Sequence, residues 1–198
     1  MKRLVLASGN AGKLVELRDL LGDGGLQLHA QSDFGVADAQ ETASTFVENA
    51  LLKARHAARA TGLPALGDDS GLCVDALHGA PGLYSARYGG VHGDAARNIA
   101  RLLEEMRDIP GHARGARFYC VLVLLRGVDD PQPLIAEGSW EGRILERPRG
   151  ERGFGYDPVF FDPDNACSAA ELDPVVKNVI SHRGRALAAL KQRLAGFS

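Results

Sequence analysis

The sequence predicts a mixed α/β fold, and three observations lead to that prediction. Near the start, a short apolar stretch over 3–7 is followed by a glycine turn and then by leucines at helical spacing. Residues 118–126 are rich in β-branched, aromatic and leucine side chains, which is typical of a buried strand. Because strand and helix patterns mix along the chain without strict alternation, we expect a mixed sheet rather than a doubly wound one.

Five strands follow from the apolar patterns. Gly9 ends the first of them, because glycine breaks a strand. The second is expected from the alternation of Leu72, Val74 and Ala76, directly after the acidic pair Asp68-Asp69. The expected strands are 3–7, 72–76, 118–126, 133–138 and 142–145.

Four helices are expected where apolar residues recur at helical spacing. Gly22 sits where a helix C-terminal glycine belongs. Thr45 and Glu48 have the spacing of a capping box, in which a hydroxyl and a carboxylate satisfy exposed N–H groups reciprocally. Asp94 is the expected cap of the third helix. The expected helices are 14–21, 49–60, the segment from Asp94 to Met106, and roughly 183–194.

The composition limits the class of protein. The chain has 198 residues, 45% of them hydrophobic and 24% charged, so we expect a single globular domain over 1–198. A formal charge of −2 argues against a protein that coats DNA or RNA. Three cysteines without a C-x-x-C pair argue against a disulfide framework or a zinc site. Because no apolar run reaches the length of a membrane span or a signal peptide, a soluble cytoplasmic protein is expected.

The turn after the first strand has the features of an anion site. Backbone N–H groups and the helix dipole favour an anion at the start of a helix, and Lys13 adds a positive charge there. The spacing is not that of a P-loop, so a purely structural turn is the alternative. The segment consists of Ser8, Gly9, Asn10, Ala11, Gly12 and Lys13.

Three charged residues lie around the second helix. Glu48 is explained by capping. Lys53 lies farther along the same helix, where a solvated lysine is the alternative to a ligand contact. Glu41 sits in a polar loop outside the helix, and by itself it predicts only a surface carboxylate.

Two adjacent carboxylates, Asp68 and Asp69, stand between Gly67 and the pair Ser70-Gly71. Two like charges side by side repel, so a cation or a raised pKa is the economical explanation. Mg²⁺ binds one or two carboxylates together with waters and phosphate oxygens. The alternative is a turn in which Asp and Ser bond their own backbone.

Near the carboxyl end, an aromatic residue between two glycines can present its face to a planar ligand. This loop contains Gly153, Phe154, Gly155, Tyr156 and Asp157, and a tight turn around a buried aromatic is the alternative. Donor side chains then crowd the start of the last helix, at Lys177, Ser181, His182 and Arg183, although Ser181 can also be an N-cap. Together, a stacking aromatic, lysines suited to phosphate and an acidic corner suited to a metal predict a nucleoside polyphosphate site.

Six motifs in this order resemble the inosine/xanthosine triphosphate pyrophosphatases, a family of enzymes on non-standard purine nucleotides that is also called Ham1-like. They span nearly the whole chain. Ala43 and Val176 depart from the family pattern, which usually has glycine and an acidic residue at these places. The motifs are Ser8-Gly9-Asn10 with Lys13 and Glu16, Thr45-Phe46 with Glu48-Asn49-Ala50 and Lys53-Ala54, Asp68-Asp69-Ser70-Gly71-Leu72, Pro81-Gly82 with Ser85-Ala86-Arg87, Phe154-Gly155-Tyr156-Asp157-Pro158, and Ser181-His182-Arg183.

The resemblance implies an elongated, twisted mixed sheet with flanking helices that form two lobes around a central cleft. It also implies a homodimer that binds a small-molecule nucleotide, with neither nucleic acid nor membrane as a partner. The implied reaction is Mg²⁺-dependent hydrolysis of dITP, ITP and XTP to the monophosphate and pyrophosphate. Such a reaction cleanses the nucleotide pool.

The resemblance also implies a role for each site residue. Asp69 is the expected proton acceptor and a Mg²⁺ ligand, with Asp68 and Glu41 completing the metal site. The triphosphate is expected on the Ser8–Lys13 turn, Lys53 and Ser70. The purine base is expected on Phe154, with Gly155, Tyr156 and Asp157 in the same loop. Arg183 is the expected donor to position 6, with His182 or backbone N–H groups as further candidates, and Lys177 is expected to contact the base or its sugar. Donors that face position 6 can hydrogen-bond to the oxo group of inosine or xanthosine. The amino group of adenine is itself a donor, so adenine is rejected.

Three alternatives stay open. A pyrophosphatase of similar fold can act on modified pyrimidine nucleotides. A non-catalytic nucleotide sensor is a second alternative, although a protein that only binds a polyanion gains little from the Asp68-Asp69 pair without a bridging metal. An RNA-binding protein is disfavoured by the charge balance and by the lack of a basic aromatic strand pattern.

Overall fold

The computed structural model describes residues 2–9, 11–21 and 26–194. Within these ranges the chain forms seven strands and five α-helices, numbered here in chain order. The strands are β1 (Lys2–Ala7), β2 (Leu26–Ala30), β3 (Ala65–Val74), β4 (Gly115–Leu125), β5 (Leu134–Ile144), β6 (Phe160–Asp162) and β7 (Cys167–Ser168). The helices are α1 (Ala11–Leu21), α2 (Phe46–Thr61), α3 (Ala95–Glu105), α4 (Pro174–Ile180) and α5 (His182–Leu194).

The sheet contains both parallel and antiparallel strand pairs. Its strand order is β2-β1-β3-β4-β5-β6-β7. β1 pairs in parallel with β2 and with β3, whereas β6 is antiparallel to both β5 and β7. The predicted mixed α/β fold is therefore confirmed. No helix in the described part of the chain is long and apolar enough to cross a membrane.

The chain divides into two compact units. The first comprises the described residues of Met1–Asp69, Cys120–Gly138 and Arg183–Ser198. The second comprises Ser70–Tyr119 and Ser139–His182. The chain therefore passes between the units at four points, and at two of them, Asp69-Ser70 and His182-Arg183, both residues belong to the predicted site.

In the first unit, aliphatic side chains of β1, β3, β4 and α5 form the core, with Leu6, Leu66 and Leu122 fully buried. Helix α2 packs through alanines such as Ala57. Small side chains let the helix lie close to the sheet. At Gly67 a Cβ atom would collide with the carbonyl oxygen of Ala50, so the strand needs glycine there.

The core of the second unit is aromatic. The ring centroid of Phe118 lies 4.5 Å from that of Phe160 and 6.1 Å from that of Trp140. Arg114 is also buried, and its guanidinium donates to backbone carbonyl oxygens, including those of Met106 at 2.6 Å and Ile144 at 2.9 Å. Because carbonyl oxygens satisfy its donors, this cation is tolerated in the interior.

Several predicted elements are confirmed. Thr45 caps α2 by accepting from the N–H of Glu48 at 3.3 Å, and Gly62 ends the helix with φ +66°. Asp94 caps α3 by accepting from the N–H of Arg97 at 3.0 Å. Only half of the capping box is present, since the Glu48 carboxylate accepts from the Thr45 hydroxyl at 2.7 Å and not from a backbone N–H.

Other predicted boundaries are wrong. β3 contains Asp68 and Asp69 instead of starting after them, because Gly67 and Gly71 lie in the strand where backbone atoms approach closely. The segments 133–138 and 142–145 belong to one continuous strand, β5, in which Gly142 lies against β6. The sequence analysis missed β2, β6, β7 and α4, and the predicted helix end at Gly22 lies outside the described residues.

Candidate functional site

The predicted site residues form two groups, one in each unit. The first group, which we call the lysine–carboxylate cluster, consists of Lys13, Glu16, Glu41, Lys53, Asp68, Asp69 and Arg183. The second group, which we call the aromatic loop, consists of 153–157 together with Lys177, which contacts it.

Asp68 is the buried centre of the lysine–carboxylate cluster. It points toward α1 and α5, where Lys13 donates to Oδ1 and the Nε of Arg183 donates to Oδ2 at 2.9 Å. Its side chain is 0% exposed. Burial alone would raise the pKa of Asp68, but Lys13 and Arg183 outweigh it and hold this pKa well below its usual range. Asp68 is therefore an ionised carboxylate that organises two cations.

Arg183 has a second carboxylate partner. Its Nη1 donates to Glu16 of α1, and its side chain is almost fully buried. Burial opposes its charge, yet Asp68 and Glu16 together raise the pKa of Arg183. Arg183 is predicted from the sequence to face position 6 of the base, and the structure brings it together with Asp68. The thiol of Cys120, which the sequence analysis did not single out, lies 3.6 Å from Oδ2 of Asp68.

Asp69 has different partners, because successive side chains of a strand point to opposite faces. The Nζ of Lys53 donates to Oδ1 of Asp69 at 2.7 Å and to Oε1 of Glu41 at 2.8 Å. Burial raises the pKa of Asp69, and Lys53 offsets only part of that effect. Oδ2 of Asp69 is buried and has no hydrogen-bond partner among the residues that the structure describes. This oxygen can therefore still accept a hydrogen bond or bind a ligand.

Lys53 is held between two carboxylates. Burial lowers its affinity for a proton, but Asp69 and Glu41 outweigh burial and raise the pKa of Lys53. It therefore stays an ammonium ion at neutral pH. Glu41, which the sequence alone predicts as a surface carboxylate, reaches this lysine from the loop before α2.

The positions of the three predicted metal ligands can be compared with the ligands that Mg²⁺ needs. Across 2–9, 11–21 and 26–194, no three His, Cys, Asp or Glu side chains gather closely enough to hold a metal ion. Glu41 and Asp69 meet at Lys53, whereas Asp68 is bonded to Lys13 and Arg183. Since Mg²⁺ needs only one or two carboxylates in addition to phosphate oxygens and waters, Asp69 and Glu41 fit such an ion. The metal roles of Glu41, Asp68 and Asp69 stay predictions.

The predicted anion turn lies between β1 and α1. Ser8 and Gly9 follow the strand, Ala11 and Gly12 begin the helix, and Lys13 stands in its first turn. A Cβ atom at Gly9 would lie 2.5 Å from a carboxylate oxygen of Asp38, so a larger residue here would have to displace that side chain. Asn10 lies outside the described residues.

The aromatic loop presents an exposed ring on a fixed backbone. Phe154 is 40% exposed and stands between Gly153 at φ +77° and Gly155 at φ +62°. Oδ2 of Asp157 accepts from the N–H of Phe154 at 2.8 Å and from Nζ of Lys177 at 2.6 Å. The ammonium of Lys177 lies 5.1 Å from the centroid of the Phe154 ring. The arrangement suits a planar ligand that stacks on the ring.

Two further predicted residues of the second unit are buried. The hydroxyl of Tyr156 donates to the carbonyl oxygen of Ser85 at 2.9 Å, and burial raises the pKa of this phenol. The His182 ring stacks on Phe118 with centroids 4.9 Å apart. Ser85 belongs to a motif that the sequence analysis quoted without a role, since spacing alone gives no indication of a contact 71 positions away in the chain.

Comparisons with known proteins show the family of this chain. A sequence profile of the Ham1 family matches residues 4–193. The chain belongs to the Ham1 family. A dITP/XTP pyrophosphatase of Xanthomonas campestris pv. campestris (strain 8004) is 64% identical over 198 residues, which cover 100% of both chains.

Solved structures of Ham1 family relatives match over nearly the whole chain. A HAM1 protein from Coxiella burnetii is 50% identical with a TM-score of 0.92, over 99% of this chain and 100% of that one. A nucleoside-triphosphatase, dITP/XTP pyrophosphatase, from Mycobacterium abscessus is 44% identical with a TM-score of 0.76, over 95% of this chain and 97% of that one.

Proposed function

We propose that this Ham1 family protein is a nucleoside triphosphate pyrophosphohydrolase that acts on dITP, ITP and XTP or dXTP and needs Mg²⁺. The products are the monophosphate and pyrophosphate, and the reaction cleanses the nucleotide pool. The single observation that carries this proposal is the open, buried Oδ2 of Asp69 beside Lys53 and Glu41. A relative named dITP/XTP pyrophosphatase, 64% identical over the full chain, supports the choice of substrate.

In this mechanism Asp69 accepts the proton of the water that attacks the α-phosphorus. Burial raises the pKa of Asp69, which makes it a stronger base than an exposed aspartate. Lys53 orients Asp69 and contributes positive charge, and Lys13 contributes charge at the start of α1. Asp69 and Glu41 would hold Mg²⁺, which would neutralise charge on the phosphates.

Asp68 acts indirectly in this proposal. Its bonds to Lys13 and Arg183 fix both cations in the interior of the first unit. We therefore assign Asp68 to positioning rather than to the metal.

Base recognition uses stacking and donors. Phe154 stacks on the purine, because its ring is exposed on an anchored loop. Lys177 and His182 supply donors for an oxo purine, and adenine would meet them with a donor of its own. Arg183 is held by Asp68 and Glu16 in the first unit, so its contact with the base stays a prediction of the sequence. The homodimer, the cytoplasmic location and the lack of nucleic-acid and membrane partners stay predictions of the sequence.

The test is product analysis. Purified protein is incubated with ITP, dITP or XTP, with Mg²⁺ or with EDTA, and pyrophosphate and monophosphate are measured. We expect both products in equal amounts with Mg²⁺ only. ATP, dUTP and dTTP serve as matched substrates: preference for dUTP or dTTP favours the pyrimidine alternative, and binding of ITP without cleavage favours a sensor.

A further inference from the structure

One short segment of the second unit bonds directly to strand β3. This segment, Gly82–Arg87, is called the Ser85 segment below. Ser85 Oγ donates to the carbonyl oxygen of Gly82 at 2.6 Å and accepts from the N–H of Leu72 at 2.9 Å. A Cβ atom at Gly71 would lie 2.7 Å from Ser85 Oγ, so only glycine permits this approach. Ser85 therefore holds β3 at Leu72, two residues after Ser70.

Helix α3 holds the other end of the Ser85 segment. Asn98 is buried, and its amide accepts from the N–H of Gly89 at 2.6 Å and donates to the carbonyl oxygen of Ala86 at 3.3 Å. A Cβ atom at Gly89 would meet the backbone of Arg97. With both ends bonded, the segment is a rigid frame within its unit.

The aromatic loop bonds to the same residue of this frame. The hydroxyl of Tyr156 donates to the carbonyl oxygen of Ser85 at 2.9 Å. The Tyr156 side chain is buried in the aromatic core, so it offers almost no surface to a substrate. Its hydroxyl therefore connects parts of the protein.

The loop needs such an anchor. Gly153 and Gly155 flank Phe154, both at positive φ, and glycine leaves the backbone more freedom than any other residue. Asp157 fixes the backbone N–H of Phe154 from one side. Tyr156 fixes the opposite end of the loop to Ser85.

We propose that Tyr156 is a positioning residue for base binding: its hydroxyl, bonded to Ser85, fixes the place of the Phe154 ring within the second unit. This inference rests on the proposed function and deepens it. It assigns base affinity to a group that does not touch the base, and it assigns the placement of β3 to the Ser85 hydroxyl.

The test compares Tyr156→Phe with Tyr88→Phe. Both tyrosines are buried in the same aromatic core, but the Tyr88 hydroxyl donates to Glu105 of α3 and not toward the loop. We expect Tyr156→Phe to raise KM for ITP and the Kd for inosine monophosphate by roughly 2- to 10-fold, the loss of one hydrogen bond. The inhibition constant of inorganic pyrophosphate, which has no base, stays within about 2-fold, as does kcat.

A second variant separates the two bonds of Ser85. Ser85→Ala keeps the backbone carbonyl that Tyr156 uses and removes the acceptor of the Leu72 N–H. We expect Ser85→Ala to lower kcat for ITP by roughly 2- to 10-fold with a smaller change in KM, since β3 carries the catalytic carboxylate.

The inference is overturned if Tyr156→Phe leaves KM and the Kd for inosine monophosphate unchanged. It is also overturned if Tyr88→Phe raises both constants equally, or if Tyr156→Phe weakens the binding of pyrophosphate as much as that of ITP. Either result indicates a general loss of structure. Failure of the wild-type protein to release pyrophosphate from ITP overturns the proposed function instead. In that case the Kd for inosine monophosphate still tests the positioning role.

Discussion

The lysine–carboxylate cluster and the aromatic loop differ in how their polar groups are held. In the cluster, Asp68 and Asp69 are buried and each is bonded to a lysine. In the loop, an exposed ring rests on one buried ion pair, Asp157 with Lys177. The cluster is therefore suited to recognise charge and is sensitive to the loss of a charge. In the proposed function the loop stacks on a flat base, so changes there should affect affinity more than folding.

The two aspartates of the cluster also differ from each other. Asp68 has cations at both oxygens, and its pKa is lowered despite burial. Asp69 has one open oxygen, and burial raises its pKa. In the proposed mechanism, adjacent residues of one strand serve structure and chemistry separately, and substitution of each in turn tests the two roles.

The largest expected effect is on turnover in Asp69→Asn. Asparagine keeps the size and can still accept from Lys53, but it cannot accept a proton. We expect kcat for ITP to fall by roughly 10²- to 10⁴-fold at saturating Mg²⁺, with little change in the free energy of unfolding. The matched control is Asp75→Asn, an exposed carboxylate paired with Arg117, which should keep its turnover. Near-full activity of Asp69→Asn would remove Asp69 as the base.

Asp68→Asn should act on stability first. The substitution removes the buried carboxylate that pairs with Lys13 and one of the two that pair with Arg183, which typically costs about 3–5 kcal/mol of unfolding free energy. Urea denaturation at pH 7 measures this loss directly. If Asp68→Asn is as stable as Asp69→Asn, the contrast drawn between the two carboxylates is wrong.

Lowering the pH should change the stabilities of the Asp68 and Asp69 variants relative to wild type in opposite directions. Urea denaturation in EDTA between pH 7 and pH 3 measures these changes. The lowered pKa of Asp68 contributes stability above the ordinary aspartate pKa near 4, and this contribution is lost as the pH falls toward the lowered value. The raised pKa of Asp69 has the opposite sign: its contribution is present at low pH and is lost as the pH rises through the raised value. The difference in unfolding free energy between wild type and Asp68→Asn should therefore shrink in acid. Asp69→Asn should instead become less stable relative to wild type as the pH falls.

The smallest effect is expected in the aromatic loop. Phe154→Ala removes a stacking surface worth about 1–3 kcal/mol per base, so KM for ITP should rise roughly 5- to 150-fold. Because the ring is 40% exposed, the melting temperature should change little. Phe34→Ala is the control, since Phe34 has similar exposure and lies in the other unit. Equal changes in KM for the two variants would count against stacking by Phe154.

Much of the fold could be predicted from local patterns. Thr45, Gly62 and Asp94 mark helix ends with their own side chains or backbone, so sequence alone identifies them. The strands β6 and β7 have only three and two residues, too few for a periodic pattern. Strand β3 was placed too late because Gly67 and Gly71 indicate a break locally, whereas close packing against distant backbone keeps them in the strand.

The members of the site could be named from motifs, but their pairing could not. Nothing in the sequence Asp68-Asp69 indicates that one side chain bonds Arg183 and the other Lys53, since these partners lie 115 and 16 positions away. The link from Tyr156 to Ser85 is equally non-local. Strand alternation alone predicts that two adjacent aspartates in a strand face opposite ways, and the error in the start of β3 concealed it.

The thiol beside Asp68 bears on how the protein tolerates oxidants. Burial raises the pKa of Cys120 well above its usual value, and burial also raises those of Cys73 and Cys167. Peroxide reacts with the thiolate rather than the thiol, so these side chains stay in the unreactive form at neutral pH. We therefore expect all three thiols to react slowly with peroxide at neutral pH.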